Sequence, residues 1–178
     1  MSYSNSGRML LSSTREGQVS RFRAWVLIVV PLLAILFQVY VPLFFQFLAF
    51  IEMPLLVVVY FALMRRSQVG GLAFGAVVGL AQDSLSKNPL GMYGLANTLV
   101  GYLAASIGVQ LDVDHAFIRL MLTFLFYFIH HFCYWFLGRA LLGQPISFEI
   151  QRTLLLGLLN AVVGMALFRF LDGLRERA

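Results

Sequence analysis

Apolar stretches of helical length, separated by short polar breaks, run along most of this chain. Ala24 to Ile51 contains no charged residue. Proline removes a backbone donor and clashes with the preceding turn, so Pro31 and Pro42 interrupt the stretch. The pattern predicts a first helix over about 24–41, ending near Pro42. Leu43 to Ile51 then reads as a short apolar segment at an interface, and Glu52 with Pro54 marks the next start. Pro54 to Met64 stops at Arg65-Arg66. It is too short to cross a bilayer alone, because a helical span takes roughly 20 residues. With Phe47 to Ile51 added it is long enough to cross; otherwise it is a tilted span inside the bundle. Val69 to Gln82 is glycine-rich and ends at Asp83. Met92 to Leu111, Ala116 to Leu137 and Thr153 to Leu171 complete six predicted spans. The expected fold is all-α: a multi-pass, six-helix membrane domain over 24–171, with a polar tail at 1–23 and a charged tail at 172–178.

Composition agrees. Hydrophobic residues make up 60% of the 178 and charged residues 12%, where a soluble domain carries about 25% charge. Mean hydropathy is +0.84. These values exclude a soluble globular domain and a disordered chain, and six spans leave no room for a soluble domain beside them. The net charge of +5 is a matter of topology here, and nucleic acid is not an expected partner. With the N-terminus inside, ten of the thirteen basic residues fall on inside segments: Arg8, Arg15, Arg21, Arg23, Arg65, Arg66, Arg119, Arg169, Arg175 and Arg177. Lys87, Arg139 and Arg152 fall outside. Positive charge collects on cytoplasmic loops, so both termini are expected in the cytoplasm. The lone Cys133 has no intrachain disulfide partner.

Candidate chemistry is sparse. His130 and His131 are adjacent in the fifth span, and neighbouring helical positions point about 100° apart. They are therefore not expected to converge on one metal or haem, and a pair hydrogen-bonded within the bundle or reaching the outer interface is the expected arrangement. Gly-x-Ser-x-Gly is absent, Asp83 has no companion acid for a dyad, and no charge stands out at mid-span. No catalytic residue, cofactor or metal is expected. The glycines carry more pattern. Gly71, Gly75 and Gly79 recur every four residues, Gly94, Gly101 and Gly108 every seven, and Gly157, Ala161 and Gly164 line one side of the last span. Small residues at such spacing let backbones approach closely in lipid, either within the bundle or against a partner's helix. The fifth span is crowded with aromatics, suiting lipid contact or shape-specific grooves. Asp83, ahead of the Pro89 to Gly91 turn, is placed to accept from free amides at the start of the fourth helix.

The run Gly75-Ala-Val-Val-Gly79-Leu-Ala-Gln-Asp83, then Pro89-Leu90-Gly91, then Gly94-Leu95 and Gly101-Tyr102-Leu103, resembles the rod shape-determining protein MreD family. Pro54 to Tyr60 before an arginine pair and Asn160-Ala161 in the last span also fit. Val162, Val163 and Gly164 follow that pair where many members have a proline. The resemblance implies a non-enzymatic component of the bacterial inner membrane, in the cell-elongation machinery that builds peptidoglycan. Its implied partners are MreC most directly, with MreB, RodA and the penicillin-binding transpeptidase in the same complex, and membrane lipids around it. It also implies a bundle similar to the substrate-binding subunit of energy-coupling-factor transporters. That likeness supplies a second expectation, a vitamin pocket under the outer loops, with Asp83, Asn88, Tyr93, Asn97 and Gln144 as its polar groups. The residues expected to matter for structure or interaction are Gly71, Gly75, Gly79, Asp83, Pro89, Gly91, Gly94, Gly101, Asn160 and Gly164.

Overall fold

A helix that is apolar on every side belongs inside a bundle, and the segment that begins at Pro54 is of that kind. In the computed structural model, which describes residues 22–86, 89–143, 145 and 147–175, it is the central helix. The elements are α1 (Val26–Tyr40), α2 (Met53–Arg65), α3 (Gln68–Leu85), α4 (Met92–Gln110), α5 (Ala116–Ala140) and α6 (Ile150–Asp172), with no strand among the described residues. Every residue of α2 from Pro54 to Met64 is buried. The α3–α4 hairpin packs on one side of it, α5 and α6 pack together on another, and α1 lies against α2 and α3. Of α1 only Val26, Pro31, Ala34 and Ile35 are buried.

Five segments are long and apolar enough to cross a membrane: Val26–Leu43, Gln46–Arg65, Met92–Gln110, Ala116–Ala140 and Ile150–Asp172. Glycines, Gln82 and Asp83 dilute the apolar character of α3, which runs beside α4 as the sixth helix. The stretch before Glu52 has local structure of its own. It forms two 3₁₀ turns, Val41–Leu43 and Gln46–Phe50, and the second joins α2 through a break at Ile51 and Glu52. Pro42 starts the first turn, since its fixed φ suits an N-terminal position and it has no amide to leave unpaired. The sequence boundaries were short at three ends: α3 runs on to Leu85, α5 runs on to Ala140, and α6 starts at Ile150.

Two tight connections set the helix order. Arg66 turns the chain out of α2 in the left-handed region at φ 52°, and the Ser67 hydroxyl accepts from the Gly70 amide at 3.2 Å to cap α3. At the other end Gly91, at φ 98°, takes the turn into α4 in a conformation that favours glycine.

Asp172 belongs to the last turn of α6 and not to a free tail. Its carboxylate pairs with Arg119 and accepts from the Tyr60 hydroxyl at 2.9 Å. Arg119, read from sequence as an inside charge near the start of the fifth span, is buried; its Nε donates to the Val113 carbonyl and its Nη2 reaches Asp114 at 3.3 Å. This network ties α2, α5 and α6 together at the end of the bundle that also holds Arg65 and Arg66. Residues 1–21 and 176–178 lie outside the described residues, and with them nearly all of the predicted N-terminal tail and the last three residues of the C-terminal one.

Candidate functional site

The glycine stripes face inward. A Cβ on Gly75 would fall onto the Asn97 carbonyl, one on Gly79 onto the Tyr93 carbonyl, and one on Gly101 onto the Gly71 carbonyl. A Cβ on Gly71 would meet the Gly101 carbonyl and stand 2.8 Å from Ala105 Cβ. So α3 and α4 touch backbone to backbone over their length. The remaining small residues are occupied too: Gly94 against Leu80, Gly108 against Leu63 of α2, Gly157 against the Phe124 and Tyr127 rings, and Gly164 against Thr123 and Leu56. Of the two alternatives, internal packing or a partner's helix, the structure uses all of these positions internally. The aromatics of α5 divide. Phe126 and Tyr127 are in the core, while Phe117, Phe132 and Phe136 are exposed.

At the hairpin end of this seam, Asp83 is 1% exposed. Its Oδ2 accepts from the Gly91 and Gly94 amides, both at 2.9 Å, and its Oδ1 from the Tyr93 amide at 3.1 Å. These are the orphan donors of α4's first turn, where the helix dipole also favours negative charge. Pro89 and Leu90 sit exposed on the turn that Asp83 closes. Beside it, the fully buried Asn97 donates to Gln82 Oε1 at 3.4 Å, and Asn97 Oδ1 has no hydrogen-bond partner.

A second polar cluster surrounds the break before α2. Asn160, from α6, accepts from the Glu52 amide at 2.8 Å and donates to the Phe50 carbonyl at 2.8 Å. Gln38, from α1, accepts from the Met53 amide at 3.2 Å. Neighbouring helices thus serve the backbone groups that the broken segment leaves free, as backbone in an apolar surround requires. The break also carries the Glu52 side chain inward. Glu52 stands about 20 Å from Arg65 along the thirteen-residue α2, at 1.5 Å per residue. That distance is shorter than a hydrocarbon core about 30 Å thick.

Here the structure adds an acid that the sequence expectation about the histidines did not include. His130 Nδ1 lies 3.1 Å from Glu52 Oε2, and His131 Nδ1 lies 3.6 Å from Glu52 Oε1. The two imidazoles do leave α5 in different directions, but Glu52 sits between them, and both rings bend back to it through Nδ1. Aromatic faces hold them there. Tyr93 stacks on His130 with centroids 5.8 Å apart, and Tyr127 stacks on His131 at 5.0 Å. His130 is 1% exposed, the Glu52 side chain 13% and that of His131 36%. The contacts are close but poorly aligned: Glu52 Oε2, both ring nitrogens of His130 and His131 Nδ1 are buried without a hydrogen-bond partner. Each such buried group costs about 1–3 kcal/mol. Sequence reasoning missed the cluster because Glu52 was taken as a boundary marker. An acid inside a long uncharged stretch was the signal available.

Next to the cluster is an open cavity of about 410 Å³, with Glu52 and His131 on one side, Phe50, Tyr134 and Trp135 around it, and Glu149 and Arg152 at its rim. Among the described residues, the polar groups expected of a vitamin pocket do not line it. Asp83 is taken up by α4, Asn97 faces Gln82, and Tyr93 covers His130; Asn88 and Gln144 lie outside the described residues.

Fold and site together define a small, all-helical, multi-pass membrane protein with a glycine-seamed hairpin and a polar cluster held inside its apolar bundle. The profile of the rod shape-determining protein MreD family matches residues 20–174, and the chain belongs to that family. This makes it a membrane component of the rod-shape machinery, from a family of shape-determining proteins that is not a known enzyme family. No curated protein and no solved structure matches the chain, and the likeness to energy-coupling-factor subunits is not confirmed.

Proposed function

We propose that this chain is a non-enzymatic adaptor of the bacterial inner membrane that binds MreC and helps organise the elongation complex with MreB, RodA and the penicillin-binding transpeptidase. The family match over nearly the whole bundle carries this reading. Ten of thirteen basic residues on one side support an orientation with both termini cytoplasmic. A membrane domain over 24–171, lengthened by Asp172 in the last turn of α6, with a short tail at each end is part of the same reading. The small-residue stripes are closed within the bundle, so the partner meets exposed side chains such as Ile28, Leu32 and Leu33 of α1, Phe132 and Phe136 of α5, or Leu155 of α6. Burial gives little drive between helices in lipid, and shape has to provide the fit.

Photo-crosslinking residues placed singly at those positions in the full-length protein, in native membranes, test the reading. Crosslinks to MreC are expected from one continuous face and not from all around the bundle. Correctly inserted protein that gives no MreC crosslink from any position overturns it. Cysteine at Ser86 should react with an impermeant thiol reagent added from outside, and cysteine at Arg65 should not.

A further inference from the structure

From the Glu52, His130 and His131 cluster we infer a site for a divalent transition-metal ion, with zinc the best match to its donors. The inference goes beyond the adaptor reading and does not depend on it.

One ligand atom from each of the three residues lies within 4.8 Å of the other two. Zinc bonds imidazole nitrogen at about 2.0–2.1 Å and carboxylate oxygen at about 2.0–2.2 Å in a tetrahedron, which puts neighbouring donors roughly 3.3 Å apart. His130 Nδ1 lies 3.1 Å from Glu52 Oε2 and His131 Nδ1 lies 3.6 Å from Glu52 Oε1, so each imidazole is near that distance from its own oxygen of the carboxylate, and a small rotation of the carboxylate brings one oxygen within reach of both. The unmade hydrogen bonds point the same way. Glu52 Oε2 and both Nδ1 atoms are buried and not hydrogen-bonded, in a group whose ligand atoms lie within 4.8 Å of one another. A cation between them turns three mutually unsatisfied groups into ligands. Two neutral imidazoles and one carboxylate form a donor set that suits zinc and neighbouring first-row ions better than magnesium or calcium, which prefer oxygen alone.

The surroundings are built to hold the donors. Tyr93 and Tyr127 fix the ring planes. Asn160 and Gln38 fix the backbone on either side of Glu52. Three protein ligands leave one coordination position open. His130 is enclosed, whereas Glu52 and His131 both border the 410 Å³ cavity. The open position therefore faces that cavity, where it takes water or an oxygen donor of an entering molecule. An ion here also joins the broken start of α2 to the middle of α5.

The test uses tag-free, full-length protein in detergent, stripped with a chelator and titrated with Zn²⁺ alone by calorimetry, then with Co²⁺ as a spectroscopic probe. One equivalent per chain is expected, together with the intense visible bands of four-coordinate Co²⁺ and a higher melting temperature with zinc than without. Glu52→Gln and His130→Asn should each weaken binding by more than about tenfold, since even outer-shell changes at metal sites cost 10–100-fold. His115→Asn, at the exposed pair with Asp112, should bind as wild type. Should His130→Asn fail to fold, Glu52→Gln, which keeps the side chain's shape and the backbone bonds, decides the matter. Substoichiometric uptake by the wild type, or unchanged affinity in Glu52→Gln, overturns the site.

Discussion

Asp83 and Glu52 are both carboxylates drawn into an apolar bundle, and the bundle treats them in opposite ways. Asp83 receives three amides that the start of α4 would otherwise leave bare. Its charge is matched by fixed backbone dipoles, and nothing more is required of it. Glu52 is held by its backbone amide and not by its carboxylate, whose Oε2 meets His130 without a hydrogen bond. Tyr93 belongs to both regions, its amide bonded to Asp83 and its ring stacked on His130. The difference separates architecture from capacity. A satisfied buried acid closes a structure, while an unsatisfied one with converging partners leaves room for a ligand.

The largest expected effect comes from the seam on which the Asp83 side depends. Gly75→Leu places a side chain on the Asn97 backbone, which cannot move without separating α3 from α4. Overpacking usually costs about 1–3 kcal/mol, and more where backbone is the obstacle. We expect more than about 3 kcal/mol, seen as loss of folded protein from the membrane, measured by immunoblot and size-exclusion profile. The same change on a face meant for a partner's helix would leave the protein level untouched and remove only the partner. Normal accumulation with a normal melting temperature would show that the seam is looser than described.

Asp83→Ala comes next. It leaves the amides of Gly91, Tyr93 and Gly94 without their acceptor in a buried place. Charge-assisted hydrogen bonds contribute about 1.5–3 kcal/mol each, though not additively, and water recovers some at the turn. A loss of about 2–3 kcal/mol in a thermal or denaturant melt is expected. Asp83→Asn, which keeps one acceptor oxygen, should recover part of it. Equal melts for the two variants would mean that the charge, and not the amide geometry, does the stabilising.

The two regions also differ in how far they could be read from the chain. The Asp83 region is local: the acid, the Pro89 to Gly91 turn and the first residues of α4 lie within a dozen positions, and turn and capping rules act over that range. The glycine spacing likewise announced close packing, though not whether a neighbour within the chain or a partner would fill it. The Glu52 region is assembled over long separations. Glu52 and Asn160 stand 108 residues apart, and the histidines reach the acid only because α2 is central and starts at a break. The helical angle between His130 and His131 was correct, but it could not reveal a third group between them. Arg119 and Asp172 repeat the lesson: each resembled an end charge until the packing of α2, α5 and α6 brought them together with Tyr60.

The smallest expected effect is the most discriminating. Glu52→Gln leaves the backbone bond to Asn160 and the helix start intact, keeps the side chain's volume, and supplies an amide that can donate to one unpartnered imidazole nitrogen. Removing an acid whose carboxylate lacks good hydrogen bonds should change stability little, because lost attraction is offset by desolvation no longer incurred. In metal-free protein we expect a shift within about 1 kcal/mol of wild type, in either direction, well below that of Asp83→Ala measured in the same buffer. A loss as large as that of Asp83→Ala would mean that Glu52 is a structural acid after all, paired with His130 as a fixed strut between α2 and α5. The contrast between the two carboxylates would then collapse into two versions of one device.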